Sequence, residues 1–257
     1  MSDALLSLRG VRKAYGAVEA VRGVDLDIGV GEVLALCGDN GAGKSSLVKV
    51  IAGAQPASSG TMTLRGREVA FHSPEDALRG GIATIYQDLA LAPRMSIAEN
   101  VFLGSEHTRG PLGLPFPRLL DRRRMMTEAL GYLQRLNPAL TDMARPVEGL
   151  SGGQRQAVAI ARALRWKAEL VIMDEPTPAL GVRETAQVLD LIRRLRGEGR
   201  AVLLVSHSMA DVCAVATRVA IMKNGRKVID QTVAGLDPDT LAHMIMTGQG
   251  VEAAPAA

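Results

Sequence analysis

Residues 38–46 form a glycine-rich run, Gly38-Asp39-Asn40-Gly41-Ala42-Gly43-Lys44-Ser45-Ser46. An apolar run at 33–37 precedes it and helix-forming residues 46–52 follow, which is the strand–loop–helix context of a phosphate-binding loop. The glycines let backbone N–H groups turn toward a polyphosphate, and the positive end of the next helix points at the same anion. Lys44 then reaches the β- and γ-phosphates and the Ser45 hydroxyl binds Mg²⁺. Because four positions fit this motif in that context, a nucleoside triphosphate site is favoured over a turn with an incidental lysine.

The composition is that of a globular protein with an aliphatic core. The chain has 257 residues, of which 47% are apolar and only 3% aromatic, and its formal net charge is +3. So few aromatic rings argue against a stacking surface for single-stranded nucleic acid. Cys37 and Cys213 form no metal or disulfide pattern, which indicates a reducing compartment. We expect no secretory signal and no membrane-spanning segment, since no apolar run reaches about 18 residues.

Strand and helix patterns alternate along the chain, which predicts an α/β fold. Residues 5–37 have the pattern of β-structure, and residues 95–166 are mostly helical. Within that helical region, residues 104–118 are rich in Gly and Pro and are expected to form a long exposed loop. Asp121 is the expected N-cap of a helix ending at Leu136, with an apolar face formed by Met125, Leu130, Leu133 and Leu136.

Polar side chains follow three predicted strands. Gln87 follows the strand at 82–86, Asp174 and Glu175 end the apolar run at 170–175, and His207 follows the strand at 201–205. Ligands of open α/β sheets gather at the carboxyl ends of the strands, so these residues are candidates for one site. The alternatives are a solvated turn for the paired acids and a structural role for the histidine.

These features occur in a characteristic order: the phosphate loop, Gln87, Leu150-Ser151-Gly152-Gly153-Gln154, the strand ending in Asp174-Glu175, and His207. In this order they resemble the ATP-binding cassette of ABC transporters over residues 4–247. The resemblance implies a P-loop NTPase fold with a mainly parallel core sheet and an N-terminal antiparallel β-subdomain. It also implies a helical subdomain at about 90–166, and residues 248–257 are expected to form a flexible tail.

The resemblance also implies roles for single residues. Asp174 would hold Mg²⁺ together with Ser45, and Glu175 would act as the general base on water. Gln87 would contact Mg²⁺ or the attacking water, and His207 would bond to the γ-phosphate. Tyr15 would stack on adenine, although half-buried packing is the alternative for a tyrosine in this β-region.

Residues 150–154 are expected to act on a nucleotide bound by another copy of the chain. Ser151, Gly152, Gly153 and Gln154 lie at a predicted helix start, which is a second anion site. In this family such a segment covers the γ-phosphate held by the phosphate loop of a second subunit. The resemblance therefore implies a head-to-tail homodimer that closes over two ATP molecules and reopens after hydrolysis.

One departure from the common cassette pattern narrows the resemblance. Gly181 stands where most cassettes have an aspartate, and Pro178 replaces a smaller residue. With the loop sequence at 38–45 and residues 86–90, this is similar to the ATPases of ribose-, xylose- and fructose-type monosaccharide importers, in a single-cassette form.

The resemblance to these importers implies a peripheral location on the cytoplasmic face of the inner membrane. The implied partners are permease subunits and, indirectly, an external sugar-binding protein. Residues 104–118 and those after Gln87 are candidates for the permease contact, with a tolerated surface insertion as the alternative for the loop.

Two other classes of P-loop ATPase or GTPase are alternatives to a monosaccharide importer. An ABC ATPase acting on ribosomes or nucleic acid usually has tandem cassettes or a long coiled-coil insertion, and this chain has neither, so no nucleic-acid partner is expected. A P-loop GTPase or kinase would lack the segment at 150–154, and this chain lacks the Asn-Lys-x-Asp motif of GTPases. Alkylation or oxidation of Cys37, beside the loop, is a further hypothesis for blocking the nucleotide site, with small-residue packing as its alternative.

Overall fold

The computed structural model describes residues 4–86, 88–109, 119–178 and 180–250. The strands are β1 (Ala4–Tyr15), β2 (Val18–Gly29), β3 (Val33–Cys37), β4 (Ser59–Leu64), β5 (Arg67–Glu68), β6 (Ile82–Ile85), β7 (Thr108–Arg109), β8 (Leu119–Leu120), β9 (Leu170–Asp174), β10 (Ala201–Val205), β11 (Arg218–Lys223) and β12 (Arg226–Thr232). The helices are α1 (Lys44–Ile51), α2 (Pro74–Gly80), α3 (Ile97–Phe102), α4 (Arg122–Leu136), α5 (Gly152–Arg165), α6 (Val182–Gly197), α7 (Met209–Val215) and α8 (Pro238–Thr247), with a 3-10 turn at Val147–Gly149.

Two larger sheets organise these elements. The N-terminal sheet has the strand order β2-β1-β4-β5 and is antiparallel. The second sheet has the order β12-β11-β3-β10-β9-β6, and its neighbours are parallel except for the β11–β12 hairpin. This confirms the predicted α/β cassette fold, with its antiparallel N-terminal part and its mainly parallel core sheet.

The central strands are buried on both faces, as their continuous apolar runs predict. In β3, Leu34 and Leu36 pack into one hydrophobic cluster and Ala35 and Cys37 into another. All five residues of β3 are buried. The strand that leads into the phosphate loop is therefore fixed from both sides of the sheet, which limits how far the loop can move.

A separate hydrophobic cluster joins α3, α4 and α5 to strands β3, β10, β9 and β6 of the core sheet. Asp121 caps α4 as predicted, since its side chain accepts a hydrogen bond from the Arg124 amide. The buried face differs in one position, because Ala129 is buried and Leu130 is only partly buried. The expected extent of the helical subdomain, about 90–166, remains a prediction.

The loop predicted at 104–118 needs one correction. Thr108 and Arg109 form the short strand β7, which pairs with Leu119 and Leu120 of β8. Residues 110–118 lie outside the described residues, as do residues 251–257 of the expected tail. In the part of the chain that the structure describes, no helix is long and apolar enough to span a bilayer.

Candidate functional site

The register of the core sheet brings the ends of four strands to one edge. Val205 of β10 is paired with Leu36 of β3 on one side and with Asp174 of β9 on the other. Ile85 at the end of β6 is paired with Met173. All four strands are parallel, so the segments that follow them emerge together. The phosphate loop, Glu175 and His207 therefore lie at this edge, together with Tyr86, the residue before Gln87.

Close backbone packing explains two glycines of the phosphate loop. Gly38 and Gly43 have φ values of +143° and +101°, in the region that favours glycine. A Cβ atom on Gly43 would lie 2.3 Å from the Ala20 carbonyl oxygen of β2, and one on Gly38 would lie 2.2 Å from the Met222 carbonyl oxygen. The loop thus packs directly onto β2 and β11, and larger residues do not fit at these two positions.

Lys44 is buried inside this loop. Its side chain is 6% exposed, and Nζ donates hydrogen bonds to the carbonyl oxygens of Gly38 at 2.6 Å and Asp39 at 3.0 Å. Burial lowers the pKa of the Lys44 ammonium, and the nearby Cys37, Glu175, Asp39 and Asp174 partly offset this. A cation held by neutral carbonyl groups can exchange them for phosphate oxygens without leaving the loop.

The two acids differ in their surroundings. Burial, and then the neighbouring charge of Glu175, raise the pKa of the Asp174 carboxyl group. Glu175 has φ of +49°, an uncommon backbone conformation for a residue with a side chain, and its amide donates to the Val205 carbonyl at 2.9 Å. Its Oε1 atom lies 3.1 Å from Nε2 of His207. The two predicted catalytic residues are thus in contact.

Tyr15 stands at the end of β1, in the hairpin beside the phosphate loop. Its hydroxyl group donates a hydrogen bond to Oε1 of Gln55, and Nζ of Lys13 lies 5.2 Å from the ring centroid. The side chain remains 41% exposed. Tyr15 is therefore oriented by neighbouring side chains but not buried in a core, and its stacking on adenine remains a prediction. Sequence reasoning missed Gln55, and no local pattern distinguishes it.

Ser151 caps α5 through a reciprocal pair of hydrogen bonds. The Gln154 amide donates to Ser151 Oγ at 3.3 Å, and the Ser151 amide donates to Gln154 Oε1 at 3.0 Å. This is a capping box, which the Ser-x-x-Gln spacing could have predicted. Among the described residues, no hydrogen bond joins residues 151–154 to the phosphate loop of the same chain.

Two further polar contacts near the acids were not predicted. Thr177 Oγ1 donates to Oδ2 of Asp211 at 2.8 Å, and Asp211 is buried. Gln156 of α5 is 3% exposed, and its Nε2 atom has no hydrogen-bond partner within the described ranges. Gln156 and Glu175 line a common cavity of about 550 Å³. Gln87 itself lies outside the described residues, so its predicted place in the site is not described.

Comparison with known proteins identifies the family. The family model described as "ABC transporter" matches residues 21–178. The chain belongs to the ABC transporter family. It is therefore an ABC ATPase, an enzyme that binds and hydrolyses ATP, as the order of its motifs predicted.

The related ABC proteins include ATP-binding subunits named for sugar import. The chain is 45% identical to the xylose/arabinose import ATP-binding protein XylG of Sulfolobus acidocaldarius, over 88% of this chain and 87% of that protein. It is 46% identical to the fructose import ATP-binding protein FrcA of Rhizobium meliloti, over the same shares. It is 41% identical to the ribose import ATP-binding protein RbsA of Yersinia pestis over 94% of this chain, but it spans only 46% of that longer protein.

Solved ABC cassettes share the fold. A nucleotide-free ATP-binding cassette from an ABC transporter superposes with a TM-score of 0.76 at 25% identity, covering 89% of this chain and 91% of that one. A dimeric cassette in a post-hydrolysis state with ADP and phosphate has a TM-score of 0.71 at 24% identity, with 90% of this chain and 100% of that one covered.

Proposed function

We propose that two copies of this chain bind and hydrolyse two ATP molecules in a head-to-tail dimer. The observation that carries the proposal is that the motifs of one chain lie in two separate places. Lys44, Glu175 and His207 share one edge of the core sheet, whereas Ser151 caps its own helix and, among the described residues, has no hydrogen bond to the phosphate loop. A cassette of the same fold is dimeric with ADP and phosphate bound.

The side chains at the sheet edge have complementary roles in this proposal. Lys44 exchanges the two loop carbonyls for the β- and γ-phosphates, and the amides of residues 38–46 bind the remaining phosphate oxygens. Glu175 accepts a proton from the attacking water, and His207, 3.1 Å from it, holds the γ-phosphate. Tyr15 stacks on adenine. Gln87 contacts the water or the metal ion.

The donor set at the loop fits Mg²⁺. Ser45 offers an exposed hydroxyl at the start of α1, and Asp174 offers a half-buried carboxylate at the end of β9. Within the described ranges no three His, Cys, Asp or Glu side chains converge as a metal site. The two oxygen donors of Ser45 and Asp174 suit Mg²⁺, which keeps several waters and binds through one or two protein oxygens and the substrate phosphates. When bound, Mg²⁺ neutralises charge that develops on the phosphates.

Mixing two inactive variants tests the composite site. We expect Lys44→Ala and Ser151→Arg each to lose ATPase activity, because each dimer then has two damaged sites. In a mixed dimer both lesions fall in one site and the other site is intact. Random exchange of subunits in a twofold dimer should therefore restore occlusion of about one quarter of the wild-type amount of radiolabelled ATP. A mixture that occludes no more ATP than either variant would refute the head-to-tail arrangement.

We further propose that this ATPase powers import of a monosaccharide through a membrane permease, from the cytoplasmic face of the membrane. The support is the 45–46% identity with sugar import ATP-binding proteins that match this chain over most of their length. Reconstitution with the cognate permease and binding protein, followed by a screen of monosaccharides for stimulated ATPase activity, would identify the sugar. Stimulation by no monosaccharide, with ATPase activity intact, would refute this assignment.

The permease contact is proposed at a cavity of about 450 Å³ between α2, β6 and α5. Its lining includes Tyr86, immediately before Gln87, and Leu103 and Gly104 at the start of the predicted contact loop. Gly104 of the predicted contact loop and Tyr86, just before the second candidate segment, thus border one cavity. Leu103→Arg should weaken permease binding and leave ATP hydrolysis by the free subunit unchanged. Val30→Arg, at an exposed valine of the N-terminal part, is the matched control, and equal effects of the two variants would exclude this contact.

A further inference from the structure

Glu184, in the first turn of α6, binds the starts of two helices at once. Its Oε1 atom accepts a hydrogen bond from the Gly152 amide of α5 at 2.8 Å. Its Oε2 atom accepts from the Gly181 amide, at the N-cap position of α6, at 3.3 Å. One carboxylate therefore joins two segments that are about thirty residues apart in sequence.

Both amides belong to helix starts, where backbone N–H groups lack partners within the helix. Gly181 has no side chain, so it cannot cap α6, and the carboxylate of Glu184 provides the hydrogen bond at that end. Ser151 caps α5 through the Gln154 amide and leaves the Gly152 amide to Glu184. The negative charge of this carboxylate also interacts favourably with the positive N-terminal ends of both helix dipoles.

Side chains at and just before α6 pack against the glycine backbone at the start of α5. A Cβ atom on Gly152 would lie 2.3 Å from Cδ2 of Leu180, and one on Gly153 would lie 2.5 Å from Oε1 of Gln187. Residues 152 and 153 are both buried. The absence of side chains at these glycines thus lets α5 approach α6 closely enough for the carboxylate of Glu184 to reach both amides.

This contact lies between the two halves of the ATPase machinery. Ser151 is exposed at the start of α5, and the start of α6 follows Glu175 after the short segment at 176–181. In the proposed dimer, Ser151 and Glu175 of one chain act at different ATP sites. The position of one relative to the other therefore decides whether both sites can close together.

We propose that Glu184 is a positioning residue that holds residues 151–154 where they complete the ATP site of the second copy. This inference rests on the proposed function, since it assigns Glu184 a part in the same composite site. Both hydrogen bonds of the Glu184 carboxylate come from amides outside the phosphate loop at 38–46, so its loss should affect closure of the dimer and not binding of ATP to one subunit.

The test uses the Glu175→Gln variant, which is expected to accumulate the ATP-bound dimer. Adding Glu184→Ala should raise the ATP concentration for half-maximal dimerisation about tenfold, the effect of losing a hydrogen bond to a charged group. ATP affinity measured at protein concentrations too low for dimers should not change. Adding Glu184→Gln instead should recover part of the loss, because the amide oxygen can still accept from Gly152.

Glu99 provides the matched control. It lies at the corresponding position of α3, where Oε2 accepts from the Ser96 amide at 2.9 Å in a capping box. Glu99→Ala should lower the melting temperature, as Glu184→Ala does. It should leave the ATP concentration for half-maximal dimerisation unchanged.

Three results would overturn the inference. Dimerisation that is unchanged by Glu184→Ala would reduce Glu184 to a helix cap. If Glu184→Ala instead lowers the ATP concentration for half-maximal dimerisation, the Glu184 carboxylate repels the incoming phosphate. A Glu175→Gln parent that binds ATP and stays monomeric would overturn the proposed dimer itself, and with it this role.

Discussion

Replacing Gly43 by alanine is expected to damage nucleotide binding far more than the same change at Gly41. Both glycines have left-handed φ values, +101° and +81°. A side chain in that conformation costs about 1–2 kcal/mol, so this cost is common to the two variants. A Cβ atom on Gly41 would meet nothing within 4 Å, whereas one on Gly43 would lie 2.3 Å from the Ala20 carbonyl oxygen. Relieving that overlap by moving β2 or the loop should cost a further ~1–3 kcal/mol.

The extra cost should appear as lost affinity for ATP. Without nucleotide, the loop relieves the overlap by moving, and its amide groups no longer point at one anion. Bound ATP must restore that arrangement, so Gly43→Ala should bind ATP about 5- to 150-fold more weakly than Gly41→Ala. Calorimetric titration with ATP and Mg²⁺, both variants carrying Glu175→Gln to prevent turnover, measures this ratio. Equal affinities, with both variants folded by thermal unfolding, would refute the packing argument for the loop.

Three further predictions concern stability and reactivity. Leu133→Ala should lower the free energy of unfolding by about 2–5 kcal/mol in urea titrations, and Leu130→Ala by clearly less, because only Leu133 is fully buried. Asp174→Asn should raise the melting temperature of the nucleotide-free protein at pH 7: the folded state raises the pKa of this carboxyl group, so its charge destabilises the fold above that pKa. This gain should disappear as the pH falls through the folded pKa toward 3.8, and a gain that persists at lower pH would contradict it. Cys37 should resist alkylation at pH 8 in the native protein, because it is fully buried and burial raises the pKa of its thiol to about 12, and rapid labelling detected by mass spectrometry would refute this.

Much of this molecule could be predicted from its sequence, because the signals are local. Three local patterns each determine their own segment: the apolar run at 33–37, the glycines of the loop and the acids that end the run at 170–175. The rule for parallel sheets then places the carboxyl ends of the strands together without any knowledge of the strand order. Asp121 as a helix cap followed from its spacing to the helix start in the same way.

The remaining features depend on contacts between residues far apart in sequence. The bond from Gly152 to Glu184 joins positions 32 apart, and that from Thr177 to Asp211 joins positions 34 apart. Strand β7 pairs with β8, although the Gly- and Pro-rich composition of residues 104–118 favours a loop. The left-handed conformation of Glu175 does not follow from residue preference, and it accompanies a hydrogen bond from the Glu175 amide to the Val205 carbonyl of a neighbouring strand. Such features become visible only when the segments are placed in three dimensions.

Light scattering of the Glu175→Gln variant with and without ATP measures directly whether nucleotide joins two copies of the chain. The proposed composite site predicts a mass of 27.2 kDa without ATP and about twice that mass with ATP. Adding Lys44→Ala should return the protein to the monomer mass at the same ATP concentration, because the phosphate loop then loses its cation. If Glu175→Gln stays at 27.2 kDa while bound ATP elutes with it, the residues at 38–46 and 151–154 do not form a shared site, and the central claim is wrong.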